Sequence, residues 1–124
     1  MNEFEFKKRT KQVALRVIRL CQALPKNREA DVLAKQLLRS GTSIGANYRA
    51  ACRAKSKADM VSKLGIVEEE ADESLYWLEL IVESEFMTDT RVSELYKDIE
   101  SILAMTVASE ITIRKGLSNL KPKT

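Results

Sequence analysis

Apolar residues recur every three or four positions along nearly the whole chain, and the pattern is interrupted three times, by "LPKN" at 24–27, "AKSKAD" at 54–59 and "FMTDT" at 86–90. The intervening stretches are each roughly 20 to 30 residues long and show a period near 3.6, with no strand-type alternation. Two prolines and four glycines are spread over 124 residues. Long amphipathic segments joined by short breaks specify an all-α chain, and the expected arrangement is an antiparallel up-down-up-down four-helix bundle. The predicted helices run from about Phe4 to Leu24, from about Asn27 to Arg53, from about Lys57 to Glu85 and from about Arg91 to Leu120. Pro25 and Asn27 start the second helix, Ser56 caps the third, and Asp89 or Thr90 caps the fourth. A chain of this length makes one domain, over 1–120, with residues 121–124 as a frayed tail.

"RSGTSIGAN", Arg39 to Asn47, tests this reading because Gly41 and Gly45 suggest a phosphate-binding loop. A Walker loop requires G-x-x-x-x-G-K-[ST], whereas Gly45 is followed by Ala46 and Asn47, and no β-rich run precedes Arg39. A continuous helix explains the stretch better. At about 100° per residue, Leu33, Leu37, Ile44, Tyr48 and Ala51 share one sector, and the cations Arg28, Lys35, Arg39, Arg49 and Arg53 share another. Each glycine costs such a helix about 1 kcal/mol relative to alanine. Close approach of a neighbouring backbone is the expected compensation, so Gly41 and Gly45 are predicted to be helical and packed.

Counting back from the second break sets Arg39 level with about Glu70 of the third helix, within a turn of Glu69, Asp72 and Glu73. An internal ion pair is therefore predicted for Arg39. Ser43 and Asn47, at i+4 and i+8, are expected to hydrogen-bond between helices. The third helix is apolar on two sides, its second patch being Ile66, Trp77, Leu80 and Ile81. Such a two-sided helix is either buried on both sides within a monomer or faces a second subunit. Because an exposed patch of this kind is unusual on a soluble monomer, a homo-oligomer using it is the favoured expectation.

The chain contains no histidine, which removes His-based acid–base chemistry, Ser-His triads and His metal sites. Cys21 and Cys52 form no C-x-x-C pair and are expected to be reduced, acting as small buried hydrophobes without zinc. "EEEADE" at 68–73 reads as a solvated or ion-paired helix face. No catalytic residue, metal or cofactor is assigned, and the chain is expected not to be an enzyme. No run of 18 or more apolar residues suggests a membrane span, and no apolar signal segment opens the chain, so the cytoplasm is the expected location.

Charge is distributed unevenly. Residues 1–53 carry a net +8 and residues 54–124 a net −5. Folding into the bundle gathers the N-terminus, the second break and the C-terminal segment at one end. That end holds thirteen cations against four acids, and its net +9 leaves −6 for the remainder. A cluster this dense fits polyanions. Arg49, Arg53, Lys55 and Lys57 are the predicted contacts with RNA or DNA backbone, supplemented by Lys7, Lys8, Arg9, Arg114 and Lys115. No aromatic stacking platform accompanies them, so binding would be driven by phosphate. A purely structural or protein-interaction module is the competing reading.

Three runs resemble the bacterial four-helix-bundle family of 23S rRNA intervening-sequence proteins. They are R-S-x-T-S-I-x-A-N at Arg39 to Asn47, K-S-K at Lys55 to Lys57 and D-E-x-x-Y-W-L-E-L at Asp72 to Leu80. That family is similar to the accessory protein of diversity-generating retroelements, a basic pentameric barrel that works with nucleic acid and a reverse transcriptase. The resemblance implies a four-helix protomer in a homo-pentamer, with a reverse transcriptase or other nucleic-acid enzyme as a partner class and no known enzyme activity.

Overall fold

The computed structural model describes residues 2–120, with side chains described as far as residue 118. The predicted tail at 121–124 lies outside the described residues. Four helices follow one another: α1 Glu3–Ala23, α2 Arg28–Cys52, α3 Lys57–Glu83 and α4 Asp89–Leu120. The chain is an all-α four-helix bundle, and each helix boundary falls within about two residues of its sequence-based position.

Local chemistry sets the helix starts. Asn2 Oδ1 accepts from Glu5 N at 2.8 Å, Asn27 Oδ1 from Ala30 N at 2.9 Å, and Ser56 Oγ from Asp59 N at 3.1 Å. Each bond satisfies one of the N–H groups that a helix start leaves without an internal partner. Asp89 is not an external cap, because α4 already includes it as the acid of its first turn. The end of α3 is a Schellman closure: Phe86 N–H donates to Ile81 O at 3.0 Å and Glu85 N–H to Val82 O at 2.9 Å. Glu85 takes the left-handed position there, with φ 63°, where glycine is the usual residue.

The core runs the length of the bundle through Val13, Val17, Leu37, Ile44, Leu64, Val67, Leu78, Ile99 and Ile102, all buried. Sequential neighbours pack closely, α1 on α2, α2 on α3 and α3 on α4, whereas α1 and α4 meet along a thin seam. The glycines enable the α1–α2 approach. A Cβ on Gly41 would lie 2.8 Å from Val17 Cγ2, and one on Gly45 would lie 3.1 Å from Thr10 Oγ1 and 3.5 Å from the Thr10 backbone carbon. Both glycines are inside α2.

The second apolar patch of α3 differs from expectation. Ile81 is fully buried in the core, and Trp77 and Leu80 are half-buried, whereas Ile66 is exposed. The cause is that α3, like α2, has two close neighbours, here α2 on one flank and α4 on the other. Both of its apolar sectors are therefore largely used within the subunit. Trp77 lies edge-on to Tyr76 at 5.1 Å, and its indole N–H donates to Glu73 Oε1 at 3.2 Å.

Candidate nucleic-acid interface

The α2–α3 turn gathers Arg49, Arg53, Lys55 and Lys57 within nine residues of chain, and all four are exposed. The fold fixes their backbone. Arg53 is the C-cap of α2, its N–H directed to the carbonyls of Ala50 and Ala51. Ser56 caps α3 three residues later. The acid of this turn, Asp59, is already engaged: Lys63 Nζ donates to its Oδ2 at 2.7 Å and Lys55 N at 3.1 Å. Those bonds, that of Lys63 first, hold the Asp59 carboxyl below the usual carboxylate range. None of Arg49, Arg53, Lys55 and Lys57 forms an ion pair among the described residues. Four uncompensated cations thus share this turn, and Lys8 of α1 and Lys115 of α4 are likewise exposed.

The other predicted contacts are less free. Lys7 pairs with Glu3 at 3.1 Å, and Arg114 reaches Glu110 at 3.6 Å while remaining mostly exposed. Arg9 is drawn out of the basic cluster. Its guanidinium pairs with Asp98 of α4 and donates to Met105 Sδ at 3.4 Å. Arg16 reaches the same Asp98 at 3.4 Å, so the two arginines tie α1 to α4 across the thin seam. Sequence position alone assigned Arg9 to the basic end. Its spacing of seven from Arg16, one face of a helix two turns apart, was the available signal that both serve one acid.

Arg39 pairs within the fold, Nη1 to Glu70 Oε2 at 3.0 Å and Nη2 to Glu73 Oε1 at 2.6 Å. The Arg39 bond holds Glu73 below the usual carboxylate range. Glu69 and Asp72 are exposed and take no part, because Glu70 and Glu73 are the acids on the α2 side of α3. Ser43 and Asn47 do not bridge helices. Ser43 Oγ donates to Arg39 O at 2.6 Å and Asn47 Nδ2 to Ser43 O at 2.8 Å, both back-bonds within α2. The interhelical hydroxyl pair is Ser74 with Ser40, 2.9 Å apart and buried, which sequence reasoning missed. Its signal was two serines on the apolar sides of facing helices.

A second feature missed in the sequence is Glu110, which is 3% exposed with Oε2 unpartnered. Burial, and then the neighbouring Glu68 carboxyl, push it up to about 7 against the opposing Arg114. Gly65 leaves room for it, since a Cβ there would stand 3.8 Å from Glu110 Oε1. On the α1 side of α4 lies an apolar groove of about 430 Å³ lined by Phe6, Tyr48, Met60, Leu64, Met105 and Ile113, among others. Its polar lining is limited to the hydroxyl-bearing Tyr48, Ser109 and Thr112. Cys21 and Cys52 are free, half-buried thiols. No helix of the described residues is long and apolar enough to cross a membrane.

Comparison with known proteins gives matches of two kinds, to a family and to solved structures. The family model described as 23S rRNA-intervening sequence protein matches residues 2–108. A solved structure from Bacteroides thetaiotaomicron, described as a protein of unknown function from the S23 ribosomal protein family, is 37% identical, with a TM-score of 0.80, covering 85% of this chain and 97% of its own. No curated protein matches.

Proposed function

The chain belongs to the 23S rRNA-intervening sequence protein family, and on that premise we propose that it is a non-enzymatic, homo-oligomeric helical bundle that grips nucleic-acid backbone, RNA or DNA, through its basic end. The observation that carries this reading is the set of four exposed, unpaired cations on the α2–α3 turn: Arg49, Arg53, Lys55 and Lys57. Phosphate oxygens are the partners such a cluster lacks among the described residues. The α2 carboxyl end favours Arg49 through its helix dipole, and oligomerisation repeats the cluster and raises avidity. The family's name, which ties it to ribosomal RNA, supports RNA as the first target to test. The outward remainder of the α3 patch, Ile66 with the rims of Trp77 and Leu80, supports self-association.

A salt titration of binding to unrelated RNA and duplex DNA tests the proposal. Each phosphate neutralised adds about 0.9 to the log–log salt slope on duplex DNA. Changing Arg49, Arg53, Lys55 and Lys57 together to Glu abolishes binding and leaves the helical content unchanged. Salt-insensitive binding, or none at low ionic strength, replaces this reading with that of a structural interaction module.

A further inference from the structure

Two opposite faces of the bundle are exposed, partly apolar and oppositely charged. α1 and α3 occupy diagonal corners, each separated from the other by α2, so their outer faces point apart. At about 100° per residue, Lys11, Leu15, Ile18 and Arg19 of α1 share an arc of about 100° opposite the buried Val13 and Val17. Leu15 is 42% and Ile18 37% exposed. On α3, Ile66, Glu69, Asp72, Tyr76, Leu80 and Glu83 share an arc of about 120° opposite the buried Val67 and Ala71. Ile66 is 40% and Tyr76 53% exposed. Lys11, Arg19, Glu69, Asp72 and Glu83 are all exposed and form no ion pair among the described residues.

We propose that the outer face of α1 in one copy docks on the outer face of α3 in the next, head to tail. This rests on the homo-oligomeric reading above and supplies the other half of its contact. Charge decides between the pairings. An α3-on-α3 contact sets Glu69, Asp72 and Glu83 against their own copies, and an α1-on-α1 contact does the same with Lys11 and Arg19. Like charges pressed together at an interface are costly and reject the pairing. The α1-on-α3 contact matches opposite signs while removing both apolar strips from water. Each copy offers one face of each kind, so the contact is heterologous and propagates from copy to copy. Neither face includes the α2–α3 turn, whose cations stay free for phosphate.

Charge exchange tests the pairing. Three variants are compared with the wild type by sedimentation and light scattering at low ionic strength: Lys11→Glu with Arg19→Glu, Glu69→Lys with Asp72→Lys, and all four changes together. Each two-residue variant is expected to fall to the 14.0 kDa monomer, and the four-residue variant, with both faces reversed, to recover the wild-type mass. All four positions are exposed, so circular dichroism is expected to be unchanged. Raising salt well above about 0.1 M weakens the wild-type assembly, whereas a purely apolar contact does not weaken. A wild-type mass for the α1 variant, failure of the four-residue variant to reassociate, or a salt-insensitive assembly overturns the head-to-tail pairing alone. A monomeric wild type overturns the oligomeric reading with it.

Discussion

Gly41→Ala should destabilise the protein although it removes a poor helix former. In an open helix interior the exchange gains about 1 kcal/mol. At position 41 the new methyl group would lie 2.8 Å from Val17 Cγ2 and 3.0 Å from Cγ1. Carbon atoms at optimal separation stand about 3.5–4.0 Å apart, so the overlap approaches 1 Å. Val17 cannot swing aside, because it is fully buried and a β-branched residue in a helix has essentially one rotamer. Relief requires α1 to lift from α2, and overpacking of this kind costs about 1–3 kcal/mol. The net expectation is a loss of about 1 kcal/mol. Gly116→Ala is the control, because a Cβ there meets nothing within 4 Å and the full gain of about 1 kcal/mol is realised. For a chain of this size the two variants should separate by roughly 6–10 °C in thermal midpoint, one below and one above the wild type. Thermal and urea unfolding followed by circular dichroism measure both. A Gly41→Ala protein at or above wild-type stability refutes the close-approach account of α1 on α2.

Gly45→Leu pushes a large side chain against Thr10 and should cost about 1–3 kcal/mol by the same assays. Glu85→Gly relieves a left-handed backbone at a non-glycine residue and should raise stability by about 1 kcal/mol; an unchanged midpoint would show that the Schellman closure carries no strain. Glu110 has a folded-state pKa of about 7, above its ordinary 4.5, so the folded protein binds the extra proton between those values and stability falls as pH rises through that window. Glu110→Gln should flatten that slope and gain roughly 1–3 kcal/mol at pH 8, and a slope identical to the wild type would locate the titration elsewhere. Both thiols should react with a disulfide reagent once the protein is unfolded without reductant, and a single equivalent or none would contradict free Cys21 and Cys52.

Four helices and their ends were readable because period, breaks and caps are local properties. Asn27 and Ser56 announce helix starts by their chemistry, and the faces of α2 stay separate through both glycines. Arg39 was placed opposite Glu70 and Glu73 by counting residues from a turn, which works when both helices run straight from it. The same counting failed for Ser43 and Asn47, since a short polar side chain on a helix has its own i−4 carbonyl closer than any neighbour. Ile81 was misplaced because angular position tells which residues share a face but not how many neighbours a helix has. Arg9 and Glu110 were hidden for a related reason: their partners, Asp98 and Glu68, lie on other helices, and long flexible side chains choose among several reachable charges. The exposed cations of the α2–α3 turn were readable because no acid but Asp59 stands near them in sequence.

The thin α1–α4 seam carries a kinetic consequence. Every other pair of packed helices is joined by a short connection, so their assembly costs little chain entropy and proceeds by hairpin-like docking of neighbours. Contact between α1 and α4 alone closes a loop the length of the molecule, so the Arg9 and Arg16 bonds to Asp98 are expected to form last. The α2–α3 pair becomes the unit that opens only with global unfolding, while α1 can detach at lower free energy. Amide exchange should therefore be slowest in the middle of α2 and α3, and removal of Asp98 should speed exchange along α1 while the α2–α3 core keeps its protection.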